Sequence, residues 1–279
     1  MEGAMWVLSG FADEISADLD VQCRTLTELG LTHLEFRSAW NVNVLDLEDD
    51  QLRTVASMLR QAGLSVSSIG SPIGKVAIEA DFDQHLRRFD QALRVSEILA
   101  APYIRLFSFL IPDGTDPGKH RDEVLRRMAL LADRVSGHDV TLLHENEKGI
   151  YGDSPERCLD IVESVGSPRL RLAWDAANFV QCGFQPYTDA YQKLRPYLEY
   201  VQVKDARLDT GRVVAAGLGD GEVRETVAAL HSDGFDGFFS LEPHLADAGH
   251  LGGFSGPELF AVAHQAFVRV LNEQGIEYR

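Results

Sequence analysis

The segment Val140-Thr141-Leu142-Leu143-His144-Glu145 is a short apolar run that ends on a carboxylate. Three later segments repeat the pattern: Leu170-Arg171-Leu172-Ala173-Trp174-Asp175, Tyr200-Val201-Gln202-Val203-Lys204-Asp205 and Gly237-Phe238-Phe239-Ser240-Leu241-Glu242. The steps from Glu145 to Asp175, on to Gln202 and on to Glu242 are 30, 27 and 40 residues, each with room for one strand, one helix and two loops. If the runs are neighbouring parallel strands, four side-chain oxygens converge at one end of the sheet. A hard divalent cation is the natural occupant of such a point.

Outward from these four, further apolar or β-branched runs lie near 6–12, 33–37, 65–70 and 103–110, so that eight strands are predicted together with 140–146, 170–176, 199–205 and 237–243. Helical patterns separate them. One opens at Ser16 and Asp18 and ends at Gly30. Another runs from Glu48 to Gln61 before Gly63, and a third from Asp81 to Leu99. Ser154-Pro155 and Ser255-Gly256-Pro257 are helix openings, with proline in the first turn. Strands alternating with helices mean a parallel sheet with both faces covered. The GxGxxG of an open dinucleotide-binding sheet is absent, so the expected fold is α/β, a single closed (β/α)8 barrel over residues 1–279. The Gly-rich stretch 249–256 is read as an active-site loop.

The 279 residues suit one such barrel, for which about 250 is typical. A net charge of −17 excludes a nucleic-acid surface, which needs a basic patch. No apolar stretch approaches the ~20 residues that span a bilayer, and Asp13 and Glu14 interrupt any leader, so a cytoplasmic protein without a membrane partner is expected. Cys23, Cys158 and Cys182 have no CxxC or zinc spacing and are read as reduced thiols.

Leu143-His144-Glu145-Asn146, Trp174-Asp175-Ala176-Ala177-Asn178, Val203-Lys204-Asp205, Gly217-Leu218-Gly219-Asp220-Gly221-Glu222-Val223 and Ser240-Leu241-Glu242-Pro243-His244 together resemble the xylose-isomerase-like superfamily of TIM barrels, over nearly the whole chain. The closing Gly252-Gly253-Phe254-Ser255-Gly256-Pro257-Glu258 is similar to isomerase/epimerase members of it. The resemblance implies a metal set of Glu145, Asp175, Gln202 and Glu242 around one divalent cation, Mn²⁺ or Mg²⁺ ahead of Co²⁺ or Zn²⁺. Gln202 stands where the epimerases usually have histidine, which tilts the site toward an all-oxygen cation. Glu145 and Glu242 would double as the acid/base pair that shuttles a carbon-bound proton through a cis-enediolate. The implied function is a sugar, sugar-phosphate or hydroxy-ketone isomerase or epimerase acting on a small-molecule sugar, with self-association left open. A keto-sugar or inosose dehydratase or lyase is the alternative on the same site, and a degenerate sugar-binding barrel the non-enzymatic one. An AP endonuclease is disfavoured by the acidic charge and by Ser67-Ser68-Ile69-Gly70-Ser71 at the third strand's end.

Strand alternation puts Lys204 and His244 on the side of Gln202 and Glu242, as candidate substrate contacts. A salt bridge from Lys204 to a neighbouring acid such as Asp205 is the plainer alternative. Asn178 stands three residues after Asp175, where the epimerases carry a substrate histidine, and Arg207 resembles their arginine after the seventh strand. Glu35 and Arg37 point one way on the second strand, either into the barrel mouth or as a buried ion pair. Trp40 and Phe109 are candidate pocket walls, with plain packing the commoner role of aromatics near a barrel top. Glu147 is read as a solvated loop acid, and His33 and His144 as facing the helices.

Overall fold

The computed structural model describes residues 5–246 and 255–279. Residues 249–254 of the 249–256 loop, and with them the first three residues of the Gly252–Glu258 motif, lie outside them. Eight strands appear: β1 (Val7–Gly10), β2 (His33–Phe36), β3 (Ser65–Gly70), β4 (Tyr103–Leu106), β5 (Thr141–Glu145), β6 (Leu170–Asp175), β7 (Leu198–Val203) and β8 (Phe238–Leu241). They are hydrogen-bonded in parallel in the order β1-β8-β7-β6-β5-β4-β3-β2. A parallel bridge between Phe11 and Glu35 joins the two ends and closes the barrel.

The helices are α1 (Leu19–Glu28), α2 (Asp49–Ala62), α3 (Phe82–Leu99), α4 (Arg121–Arg134), α5 (Pro155–Val165), α6 (Ala176–Gln181), α7 (Val223–Ser232) and α8 (Gly256–Glu273). Their ends follow from the local sequence. Asp18, Asp81 and Ser154 accept backbone N–H bonds at N-termini, while Gly63 and Gly166 close α2 and α5 in the left-handed conformation. Trp6, Phe36, Leu52, Phe89, Phe239 and Phe267 are among the residues that fill the layer between barrel and helices.

The barrel interior departs from the branched aliphatic filling usual in this architecture. Leu143, Ala173 and Tyr200 form one small apolar cluster, against which Tyr103 and Phe238 pack. Next to it comes a layer of hydroxyls: Ser9 Oγ lies 2.6 Å from Ser67 Oγ, and Ser67 Oγ lies 2.9 Å from the Tyr200 hydroxyl.

Three expectations are corrected. The fourth strand stops at Leu106, because the chain after β3 takes its hydrogen bonds: Phe107 N–H donates to Ile73 and Phe109 N–H to Gly74. That approach requires glycine at 74, where a Cβ would lie 1.9 Å from the Phe107 carbonyl oxygen. Phe109 (φ 66°) packs against Phe82 and His85 and walls no pocket; Trp40 turns a short hairpin (Ser38–Ala39 with Val42–Asn43) and packs on the core. His33, two residues from Glu35 and so in phase with it, has its ring 5.1 Å from that of Phe238, within the barrel rather than among the helices. His144 does turn away from the pocket, packing beneath Gly152.

Candidate metal centre and substrate pocket

Parallel strands deliver the side chains of their last residues to one rim. Glu145 ends β5, Asp175 ends β6 and Glu242 follows β8; their carboxylate oxygens lie within 4.8 Å of one another, all buried. Gln202 is the cross-strand partner of Asp175 and is also buried.

Local sequence locks the first two acids together. The Asn146 side chain donates to the Asp175 carbonyl (2.8 Å) and accepts from the Asp175 N–H (2.9 Å), which fixes the ends of β5 and β6 against each other. Asn178 N–H donates to Asp175 Oδ1 at 2.8 Å, and its amide nitrogen donates to Glu145 Oε1 at 3.3 Å. Asn178 is thus a support for two carboxylates, outside the pocket lining, rather than the hydroxyl contact expected of it.

Three cations stand among these acids. Lys204 Nζ lies 2.6 Å from Asp175 Oδ2 and 2.8 Å from Glu242 Oε2. Arg105 Nε lies 3.4 Å from Glu145 Oε2, and its guanidinium sits between the Phe11 and Phe107 rings, 5.3 and 4.5 Å from their centroids. Arg37 reaches Glu242 Oε1 (3.0 Å), Asp13 Oδ2 (2.7 Å) and Glu14 Oε1 (3.0 Å). His244 Nε2 is 3.0 Å from Glu14 Oε1 and 3.4 Å from Glu242 Oε1, on a backbone with φ 42°.

These neighbours drive the acids in opposite directions. Burial pushes Glu145 up to about 8; Arg105 opposes this, while Glu242 and Asp175 reinforce it. Burial raises Asp175 to about 6 against the pull of Lys204. Glu242 feels burial too, but Lys204, His244, Arg37 and Arg105 together hold it well below the usual carboxylate range. Two acids a few ångströms apart with separated affinities for a proton form a donor and an acceptor. Among the described residues, Glu145 Oε2 and Gln202 Oε1 are buried without a hydrogen-bond partner. Orphaned oxygens beside three crowded carboxylates are what a set of cation ligands looks like, so these residues fit a hard divalent ion.

Above them opens a pocket of about 360 Å³, in the range of small-ligand sites. Its lining includes Arg37, Lys75, Arg105 and Phe107 together with Glu145, Glu147, Lys204, Glu242 and His244. Lys204, His244 and Arg37 therefore stand where substrate contacts were sought. Glu35 and Arg37 do not pair: Glu35, fully buried, meets Arg105 and Gln202 instead. Arg207 lies exposed on the hairpin of Asp205–Ala206 and Val213–Val214, away from the pocket. Lys204 does not bridge to Asp205, whose carboxylate accepts the N–H groups of Gly217, Gly219 and Gly221 at 2.9 Å each. Glu147 is bound to Lys75 at 2.8 Å. Asp13, Glu14, Lys75, Arg105 and Phe107 escaped the sequence reading. A lone arginine inside the apolar run Tyr103–Leu106, and two acids directly after β1, were the signals available.

A family model described as xylose isomerase-like TIM barrel matches residues 23–265. A 3-dehydroshikimate dehydratase of Bacillus anthracis is 20% identical over 178 residues, 64% of this chain and 63% of that protein. A 2-epi-5-epi-valiolone 7-phosphate 2-epimerase of an Actinoplanes species is 42% identical over 77 residues, 27% of this chain and 28% of that protein. The chain thus spans less than two thirds of either relative. A xylose isomerase-like TIM barrel protein from Mycobacterium smegmatis, solved in complex with magnesium, superposes with a TM-score of 0.68 at 17% identity, covering 97% of this chain and 100% of that one.

Proposed function

The chain belongs to the xylose isomerase-like TIM barrel family, and within it we propose a divalent-metal-dependent isomerase or epimerase of a small sugar or hydroxy-ketone. The observation that carries this reading is the buried triad of Glu145, Asp175 and Glu242, two of whose acids, Glu145 and Glu242, line the pocket. Together with the Gln202 oxygen it would hold one cation, and an all-oxygen donor set favours Mg²⁺ or Mn²⁺ over softer metals. The magnesium complex of the Mycobacterium smegmatis barrel supports that choice. Such an ion, when bound, polarises a carbonyl and steadies negative charge on the adjacent oxygens.

The remaining work falls to the chain's own groups. Glu242, ionised by its cationic neighbours, suits removal of the carbon-bound proton beside the carbonyl. Glu145, the second carboxylate lining the pocket, would exchange a proton with the resulting enediolate. Lys204 and Arg105 place positive charge where the substrate oxygens gather charge in the transition state. Phe107 gives the pocket an apolar wall against which a substrate's carbon skeleton would rest. The Actinoplanes epimerase supports this reading. The dehydratase relative supports a second one, in which the same proton abstraction is followed by loss of a β-hydroxyl as water.

Incubation of keto-sugars with the Mn²⁺-supplemented protein in deuterated water tests both readings. Carbon-bound deuterium in a product of unchanged mass class supports isomerisation, and a product lighter by one water supports the dehydratase. Glu145→Gln and Glu242→Gln should each abolish label uptake. Absence of label and of dehydration across the panel would refute the enediolate chemistry.

A further inference from the structure

A carboxylate can offer a cation either of its oxygens, but a carboxamide has one oxygen and an NH₂ group that faces a cation only unfavourably. Whether Gln202 serves as a ligand therefore depends on which way its amide is turned. Nε2 donates to Glu35 Oε2 at 2.9 Å, and Oε1 is left buried with no hydrogen-bond partner. On its neighbouring strands Gln202 pairs with Asp175 and with Ser240, two residues before Glu242, which sets it beside the carboxylate cluster. Glu35 is fully buried and does not line the pocket, which removes it from contact with substrate. Its other oxygen lies 3.9 Å from Arg105 Nε. Turning the amide over would set Oε1 against the Glu35 carboxylate, acceptor against acceptor.

We propose that Glu35 is a positioning residue of the metal centre: by holding the NH₂ of Gln202 it presents the amide oxygen to the cation. The inference rests on the metal-dependent reading above, and it explains how a glutamine can complete a set of oxygen ligands. Partners that orient metal ligands in this way typically change metal affinity by about 10–100-fold when removed.

The test is calorimetric titration of the whole protein with Mn²⁺ at fixed pH, using the parent, E35Q, Q202E and the double variant E35Q/Q202E. E35Q should weaken Mn²⁺ binding about tenfold or more. Q202E sets two carboxylates side by side, so adding E35Q to it should strengthen binding, because the exchanged amide and carboxylate again form a donor–acceptor pair. Equal weakening in both backgrounds would mean that Glu35 contributes only its charge, and would overturn the proposal; so would unchanged affinity in E35Q. If circular dichroism shows E35Q unfolded, E35D takes its place. It keeps the charge but withdraws the oxygen from Nε2, and must itself bind Mn²⁺ about tenfold more weakly. A parent protein that takes up no Mn²⁺ overturns the metal reading and this inference together, whereas uptake insensitive to Glu35 overturns this inference alone.

Discussion

Lys204 holds its ammonium 2.6 Å from Asp175 Oδ2, within the carboxylate cluster assigned to the cation. The same nitrogen is 2.8 Å from Glu242 Oε2, and both acids and the lysine are buried. Without a metal, this ammonium bridges two of the acids, while Arg105 faces Glu145 and Arg37 faces Glu242. With one, lysine and metal share the same carboxylates.

Lys204→Met should therefore destabilise the metal-free protein at pH 8 by about 3 kcal/mol, the cost of leaving buried charges without their partner. Mn²⁺ should restore more of the melting temperature in the variant than it adds to the parent. Thermal unfolding with chelator and with Mn²⁺ measures both. A variant as stable as its parent in chelator would show that the ammonium does not offset the acids.

Proton competition sets the pH dependence of metal uptake. Burial lifts Glu145 to about 8 and Asp175 to about 6 in the metal-free protein, and a carboxylate must lose its proton to become a ligand. Below pH 8 one proton is displaced for each cation bound, so affinity should fall about tenfold per pH unit, and more steeply below pH 6. The matching stability effect has the opposite sign. Acids with raised folded values give their full contribution below their ordinary range near pH 4, and it is lost as pH rises from there to about 6 for Asp175 and to about 8 for Glu145. The metal-free protein should thus gain more from Mn²⁺ at pH 8 than at pH 6. Titrations at pH 6, 7, 8 and 9 that return one affinity would contradict this assignment.

The barrel and three of its acids were legible because parallel strands carry their last residues to a common rim, and a run that ends on an acid records this directly. Pairings beyond one strand were not. Glu35 and Arg37 are two residues apart, yet β2 ends at Phe36, between them. Glu35 stays inside to meet Gln202, while Arg37 emerges to meet Asp13, Glu14 and Glu242. Lys204 and Asp205 are adjacent on an extended backbone, so their side chains leave on opposite faces and the simple salt bridge was never available. Arg105 was hidden because nothing within Tyr103–Leu106 reports that Phe11, from another strand's end, stacks upon it.

Asp205 organises the segment that leads into α7. Its buried carboxylate accepts N–H bonds from Gly217, Gly219, Gly221 and Ala206, and a Cβ at Gly219 would lie 2.3 Å from Asp205 Oδ1. Asp205→Asn replaces one accepting oxygen by a donor that faces other donors. The expected loss is about 2 kcal/mol, typical of a hydrogen bond to a charged group. Chemical denaturation of the metal-loaded protein gives the figure; a loss below about 0.5 kcal/mol would mean that the glycine segment holds itself.

Arg105 joins packing to chemistry in one side chain. Its guanidinium is held between the Phe11 and Phe107 rings, lines the pocket, and keeps Nε buried without a hydrogen-bond partner, 3.4 Å from Glu145. A fixed cation with an uncommitted donor beside Glu145 is suited to a substrate oxygen. Arg105→Met keeps much of the apolar contact and removes the charge, so turnover efficiency (kcat/KM) should fall about 10–100-fold, the worth of one charged hydrogen bond. Arg105→Lys restores charge without the planar fork and should recover only part of the loss. The substitution to methionine also removes the strongest influence lowering Glu145, so the pH at which Mn²⁺ affinity levels off should move upward from about 8. A variant with unchanged kcat/KM and an unmoved plateau would reduce Arg105 to a packing residue between two rings.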